Sequence, residues 1–193
     1  MPVLIQPYSA AETLAACDAI CAVYGAAFAA PPYARGPAAT AAFADTLTRH
    51  VGRQAFRCRV ARDGASGAIL GFAYGYPSAP GHWWHDLVAR ALGSDQSRRW
   101  LADAFELVEL ALWPTYQGQG IGGRLHDALL VEVAQPVAVL STRQEETAAL
   151  ALYRRRGWTA LRRDFHFSGG AAPWMIMGLD LARRRPAVRR VEL

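Results

Sequence analysis

Seven consecutive residues, Gln117-Gly118-Gln119-Gly120-Ile121-Gly122-Gly123, place four glycines between an apolar run and a helical pattern. The first-turn N–H groups of a helix lack intrahelical partners and carry the positive end of its dipole, so they face an anion. Glycines let the backbone approach a phosphate closely. The local physics therefore predicts a pyrophosphate site. Residues 118–123 also fit the G-x-G-x-x-G pattern of dinucleotide-binding folds. That fingerprint, however, follows the first strand of its unit and needs an acid about 20 residues on, at the end of the next strand. Thr142-Arg143 ends that strand here, and no Walker-type lysine follows the loop. Two carboxylates, Glu106 and Glu109, sit on the apolar run leading into the turn. On an unbroken strand their spacing of three sends them to opposite faces. Upstream, His82-Trp83-Trp84-His85 concentrates two imidazoles and two indoles in four residues.

The surrounding elements must position these groups. Residues 3–6 form a short β-rich start, and Ser9 with Glu12 makes a capping box for a helix over about residues 10–28, stopped by Pro31-Pro32. A second helix is predicted over about residues 38–50. Residues 55–62 and 68–76 form a hairpin around Asp63-Gly64-Ala65-Ser66-Gly67. Residues 77–103 are an insertion whose middle, 83–92, has helical apolar spacing. Then follow a strand at 105–112, a helix at about 120–133, a strand at 137–142 opened by Pro136, and a helix at about 145–156 ended by Gly157. Strands at 158–167 and 174–181, joined through Ser168-Gly169-Gly170, close the chain. Helices between the late strands imply a partly parallel sheet.

This context resembles the GNAT N-acetyltransferase superfamily. Its acetyl-CoA loop, Q/R-x-x-G-x-G/A, is matched by Gln117, Gly120 and Gly122, and Glu109-Leu110-Ala111-Leu112-Trp113-Pro114 looks like its fourth strand and following turn. The family's N-x-x-A-x-x-L-Y-x-x-x-G-F pattern is met independently at Ala149, Leu152, Tyr153, Gly157 and Trp158, with Glu146 where the asparagine would be. The resemblance is specific over about residues 105–158. It implies an α/β (α+β) fold: one GNAT-like domain over residues 1–182, with a central mixed, partly parallel, twisted sheet of about seven strands flanked by about four or five helices. It also implies acetyl-CoA as co-substrate, held by the backbone around Gln117, Gly118, Gln119, Gly120, Ile121, Gly122 and Gly123. Leu110, Ala111 and Leu112 would offer strand amides and carbonyls to the pantetheine arm and acetyl group, and Glu146 would stand beside that arm.

Acetyl transfer to an amine needs a neutral amine, a polarised thioester and a proton for the leaving thiolate. By the resemblance Tyr153 is the candidate acid. Glu109, with Glu106 second, is the candidate base, and a strand bulge common in the family would change which way they face. His82, Trp83, Trp84 and His85 are candidates for the acceptor side, as a lid over an amine, while Arg124 and His126 read as surface residues and His50 and His166 show no partner. The activity implied is N-acetylation of a primary amine of a small molecule or peptide by direct attack in a ternary complex. A non-catalytic acyl-CoA-binding or sensing protein of the same fold is the alternative.

The totals set further bounds. The chain has 193 residues, 52% hydrophobic and 19% charged, with a net charge of +5. Residues 183–193 carry five arginines against Glu192 and so hold most of that charge, as a basic C-terminal tail. A body near neutrality offers no broad basic face, so nucleic-acid binding is not expected. Cys17, Cys21 and Cys58 match no metal-ligand spacing, so no metal is expected and core thiols suit a reducing, cytoplasmic setting. No basic n-region of a signal peptide opens the chain, and the glycines and prolines of uncharged residues 64–85 read as strand and turn, not a membrane span. A homodimer, frequent in the superfamily, is left open.

Overall fold

The residues between Val3 and Tyr8 form β1, and Ser9 then starts the first helix as its side chain dictates. The Ser9 hydroxyl accepts from the Glu12 N–H at 3.2 Å, and the Glu12 carboxylate accepts from the Ser9 N–H at 2.8 Å. In the computed structural model, which describes residues 2–167, 170 and 172–184, this capping box opens α1 (Ala10–Ala15). Next come α2 (Cys17–Phe28), α3 (Pro37–Val51), β2 (Arg57–Asp63), β3 (Ile69–Ser78) and α4 (Trp83–Trp100). The second half holds β4 (Ala104–Leu112), α5 (Ile121–Leu130), β5 (Val137–Arg143), α6 (Ala148–Arg155), β6 (Thr159–Phe165) and β7 (Trp174–Asp180), with short 3-10 turns at Pro114–Tyr116 and Ala182–Arg184.

Among the described residues, six helices thus flank seven strands in a single domain. The strand order is β1-β2-β3-β4-β5-β7-β6, with β4 and β5 parallel and every other pair antiparallel. The α2–α3 layer covers one face through Ile20, Val23, Tyr24, Phe43 and Leu47, packed on Val60, Phe72 and Tyr74. On the other face α5 buries Ile121, Leu125 and Leu129 against Leu70, Phe105 and Leu140. Edge strand β6 is mostly exposed and irregular, and it carries Arg162, Arg163 and Asp164, which discourage pairing with another chain.

Two differences from the sequence expectation have clear causes. The single helix expected over residues 10–28 is broken at Ala16 (φ −96°, ψ 11°). No local breaker marks that point. The bend allows α1 to lie on β1 and β2 while α2 packs on β3 and β4. The helical spacing read over residues 83–92 is real, but the helix resumes beyond Gly93, whose φ of 75° interrupts it, and runs to Trp100. Among the described residues no helix is long and apolar enough to cross a membrane. Residues 185–193, most of the basic tail, and the Ser168-Gly169 part of the last turn lie outside the described residues.

Candidate active site

The glycine turn meets the requirements of an anion site. Gly118 and Gly120 have φ of 74° and 79°, left-handed values that L side chains rarely adopt. Gly120 is the N-cap of α5 and has no side chain to satisfy the first turn. The first i→i−4 bond runs from Arg124 N–H to Gly120 C=O at 3.2 Å, so the amides of Ile121, Gly122 and Gly123 have no intrahelical acceptor. The two glutamines brace the turn: Gln117 Nε2 donates to Leu112 C=O at 3.2 Å, and Gln119 Nε2 to Thr115 C=O at 2.9 Å. Gly118, Gln119 and Gly120 are exposed and Ile121, Gly122 and Gly123 are buried, and the turn fits a nucleotide pyrophosphate on conformation and donor set alone.

Beside it, the sheet opens. Strands β4 and β5 pair only over Ala104–Val137, Phe105–Ala138 and Glu106–Val139, and then diverge. A cavity of about 340 Å³ lies at the divergence, lined by Val108, Glu109 and Leu110 of β4, Thr142 of β5 and Tyr153 of α6, among others. An extended acyl chain entering there would meet strand edges that the sheet itself leaves unpaired. Among the described residues no cluster of His, Cys, Asp or Glu could hold a metal ion.

A bulge in β4 decides where the carboxylates go. Tyr74 pairs with Glu109 but Gly75 pairs with Leu107, so Val108 is the extra residue. Phe105, Leu107, Leu110 and Leu112 join the α5-side core, whereas Val108 and Ala111 join the α2–α3 side. Glu106 and Glu109 therefore share one face, contrary to what their spacing implies for an unbroken strand. Gly75 permits this crowding, since a Cβ there would stand 2.2 Å from the Glu106 carbonyl oxygen.

Burial raises both acids. Burial pushes Glu109 up to about 7, against the pull of the Arg35 guanidinium and the Leu110 N–H. Burial pushes Glu106 up to about 8, against Arg53. Tyr153 is buried and its hydroxyl is raised well above the usual tyrosine range by desolvation, then by Tyr33 and Glu109. Such a phenol keeps its proton until a stronger base forms beside it.

His126 is not a surface residue. It is fully buried; its Nε2 accepts from Trp158 Nε1 at 2.9 Å, which assigns the proton to Nδ1 and the 2.8 Å contact there to Asp127 Oδ1. Asp127 also takes Arg156 at 2.8 and 3.0 Å. The rings of His126 and Trp158 lie 6.3 and 5.7 Å from that of Tyr153, so this network supports the tyrosine from below. His50 likewise has partners, contacting the Tyr74 hydroxyl at 3.1 Å through Nδ1 and the Tyr76 hydroxyl at 3.3 Å through Nε2. Burial, then Arg53 and Arg49, hold it down at about 4.

The four acceptor-side candidates divide. Trp83 is 64% exposed at the cavity mouth, stacked on Phe167 at 5.5 Å. Trp84 is buried and its Nε1 donates to Ser141 Oγ at 3.1 Å, tying α4 to β5. His82 lines a second, smaller cavity with Glu106. His85 is buried against Ser78 Oγ at 3.1 Å and lines neither cavity. Glu146 is exposed and ion-paired to Arg154 at 2.6 Å, and Arg124 donates to Val3 C=O at 2.9 Å, so neither side chain is turned to the cradle in this structure. Tyr33 and Arg35 were not singled out from the sequence, yet both line the Glu109 cavity. They follow Pro31-Pro32 in a segment with no periodicity, so only their later packing could reveal them. His126 did carry a signal: with Gly122, Leu129 and Leu130 it follows the buried face of α5 at helical spacing.

Comparison with known proteins shows the family and the fold. A family model described as an acetyltransferase (GNAT) domain matches residues 54–160, more than half of the chain. A GCN5-like protein acetyltransferase of Mycobacterium tuberculosis is 39% identical over 123 residues, 58% of this chain and 59% of that protein. The N-alpha-acetyltransferase RimI of the same organism is 41% identical over 69 residues, 35% of this chain and 44% of that protein. The chain thus spans well under two thirds of the length of these two relatives. The ribosomal-protein-S18-alanine N-acetyltransferase of Escherichia coli has the same fold, with a TM-score of 0.61 at 18% identity and 100% of each chain covered.

Proposed function

The chain belongs to the GNAT acetyltransferase family, and we propose that it moves an acetyl group from acetyl-CoA to a primary amine of a small molecule or peptide by direct attack in a ternary complex. The observation that carries this reading is the meeting of Glu109 and Tyr153 in one cavity at the diverging ends of β4 and β5, next to the left-handed glycine turn. Residues 1–182 are read as the catalytic domain and 183–193 as an appended basic segment. The amides of Gln119, Gly120, Ile121, Gly122 and Gly123 would hold the pyrophosphate, and Leu110, Ala111 and Leu112 the pantetheine and acetyl end. Acetyl-CoA supplies a thioester-activated acetyl group.

The residues of the cavity supply the proton chemistry. A base acts best when its pKa lies near the working pH. Glu109, at about 7, is ionised in part and able to take the amine proton, directly or through water. The amine nitrogen bonds to the acetyl carbon, the carbon–sulfur bond breaks, and Tyr153 delivers its proton to the departing thiolate. Two relatives are named for N-terminal or protein-alanine acetylation, which supports testing peptide amines early.

The experiment is a melting curve with excess acetyl-CoA, using NADH as control, followed by thiol release with an amine panel. At about 100 times its dissociation constant a ligand adds roughly 2.7 kcal/mol, a rise of about 5–11 °C for a domain of this size. A shift with acetyl-CoA alone, together with thiol release, is the expected result. No shift, or a shift with NADH only, would sink the reading. A shift without release from any amine would leave a protein that binds acyl-CoA and does not turn it over.

A further inference from the structure

A second cavity, of about 160 Å³, adjoins the first and shares its walls at Trp83, Trp84, Leu107, Val108 and Ser141. Tyr153 and Glu109 do not line it. Its polar lining is Glu106, Arg53, His82, His50 and Tyr76. Glu106 is only 4% exposed, and its Oε2 is buried without a hydrogen-bond partner among the described residues. His82 Nδ1, on the same cavity, is buried and unpartnered in the same way. Arg53 lies over the Tyr76 ring at 5.3 Å and forms no ion pair among the described residues. An unsatisfied buried polar group costs folding about 1–3 kcal/mol. Two such atoms belong to residues that line one small chamber, which suits a ligand able to satisfy them.

The charges narrow its chemistry. A cationic group would meet Arg53, and an anionic group would bring no donor to the unpartnered Glu106 oxygen. Burial and then Arg53 lower both histidines, His50 to about 4. A neutral group with both a donor and an acceptor satisfies both sides at once. A cavity of about 150 Å³ accepts a group the size of benzene, so five or six heavy atoms fit. We propose that this chamber is a specificity pocket for an amide group carried by the acceptor amine, its N–H donating to Glu106 Oε2 and its C=O accepting from Arg53 or His82. This rests on the acetyltransferase reading above, in which the reacting amine lies by Glu109. Glu106 and Glu109 share a face three residues apart, no more than about 10 Å along the strand, so a chain of a few bonds joins amine and amide. The amide is either a side-chain carboxamide or a peptide unit.

The test compares kcat/KM for four acceptors of equal chain length: an ω-amino amide, an α,ω-diamine, an ω-amino acid and an n-alkylamine. A dipeptide amide serves as a fifth arm, to tell a backbone amide from a carboxamide. The wild type should favour an amide-bearing acceptor by at least about tenfold, which is about 1.4 kcal/mol. Glu106→Leu and Arg53→Met should each reduce that preference to about twofold. Glu106→Gln, which keeps the shape and an acceptor oxygen, should retain it. An equal fall for every acceptor in Glu106→Gln would overturn the proposal and make Glu106 the base, and a wild-type preference for the diamine would overturn it as well. If no acceptor releases thiol, the acetyltransferase reading fails instead. The pocket is then judged from the melting shifts of the same compounds with acetyl-CoA present, where the amide should give the largest and an equal or smaller one would refute it.

Discussion

Replacing Glu106 by glutamine should stabilise the protein at high pH and change it little at low pH. Burial lifts this carboxyl from an ordinary value of 4.5 to about 8 in the folded state. Between those limits the folded chain holds a proton that the unfolded chain has released, so stability falls as pH rises through the interval. Each unit of difference is worth about 1.4 kcal/mol, so the full effect approaches about 5 kcal/mol once both states are ionised. Most of it develops between pH 5 and pH 8, where the gap between Glu106→Gln and wild type should widen by about 3 kcal/mol. Glu109 titrates in the same interval, but it does so in both proteins and cancels from the difference. Urea unfolding followed by tryptophan fluorescence, at pH 5 and pH 8 for both proteins, gives the four free energies needed. A gap that stays within about 1 kcal/mol between the two pH values, or that narrows, would show that burial does not hold Glu106 protonated.

Four other outcomes follow from the same geometry. Tyr153→Phe should lower acetyl transfer by about 10²- to 10⁴-fold, the usual worth of a general acid, while the melting shift with acetyl-CoA persists. The pH profile of kcat/KM should rise with pH to a midpoint near 7, as Glu109 loses its proton, and this limb should vanish in Glu109→Gln. Gly120→Ala should cost about 1–2 kcal/mol in thermal unfolding, because nothing lies within 4 Å of the added Cβ and only the left-handed backbone is strained. Trp158→Phe should cost about 1–3 kcal/mol in denaturant unfolding, since it removes the buried hydrogen bond from Trp158 Nε1 to His126 Nε2.

Much of the frame was legible because its signals are local. The Ser9–Glu12 box, the turn after β4, the stop at Gly157 and the alternation of helix and strand late in the chain each depend on residues a few positions apart. The same locality explains the misses. His126 looks exposed until Trp158, thirty-two residues later, is placed against it. Arg35 and Tyr33 sit in an unpatterned loop until β4 comes alongside. Glu146 matches a family position by count, yet its nearest opposite charge, Arg154, holds it.

By itself, then, the sequence determined a glycine turn at a helix N-terminus, the strand before it, and a tyrosine on the following helix, because backbone conformation and helical spacing are decided within one element. Only the tertiary structure decided what those groups face. The β4 bulge exists through pairing with β3 and the space that Gly75 leaves, and it alone turns Glu106 and Glu109 to one side. The split of that side into a Glu109–Tyr153 cavity and a Glu106–Arg53 cavity depends on Trp84 and Ser141 meeting across 57 positions of chain, and no spacing rule within an element reaches that far.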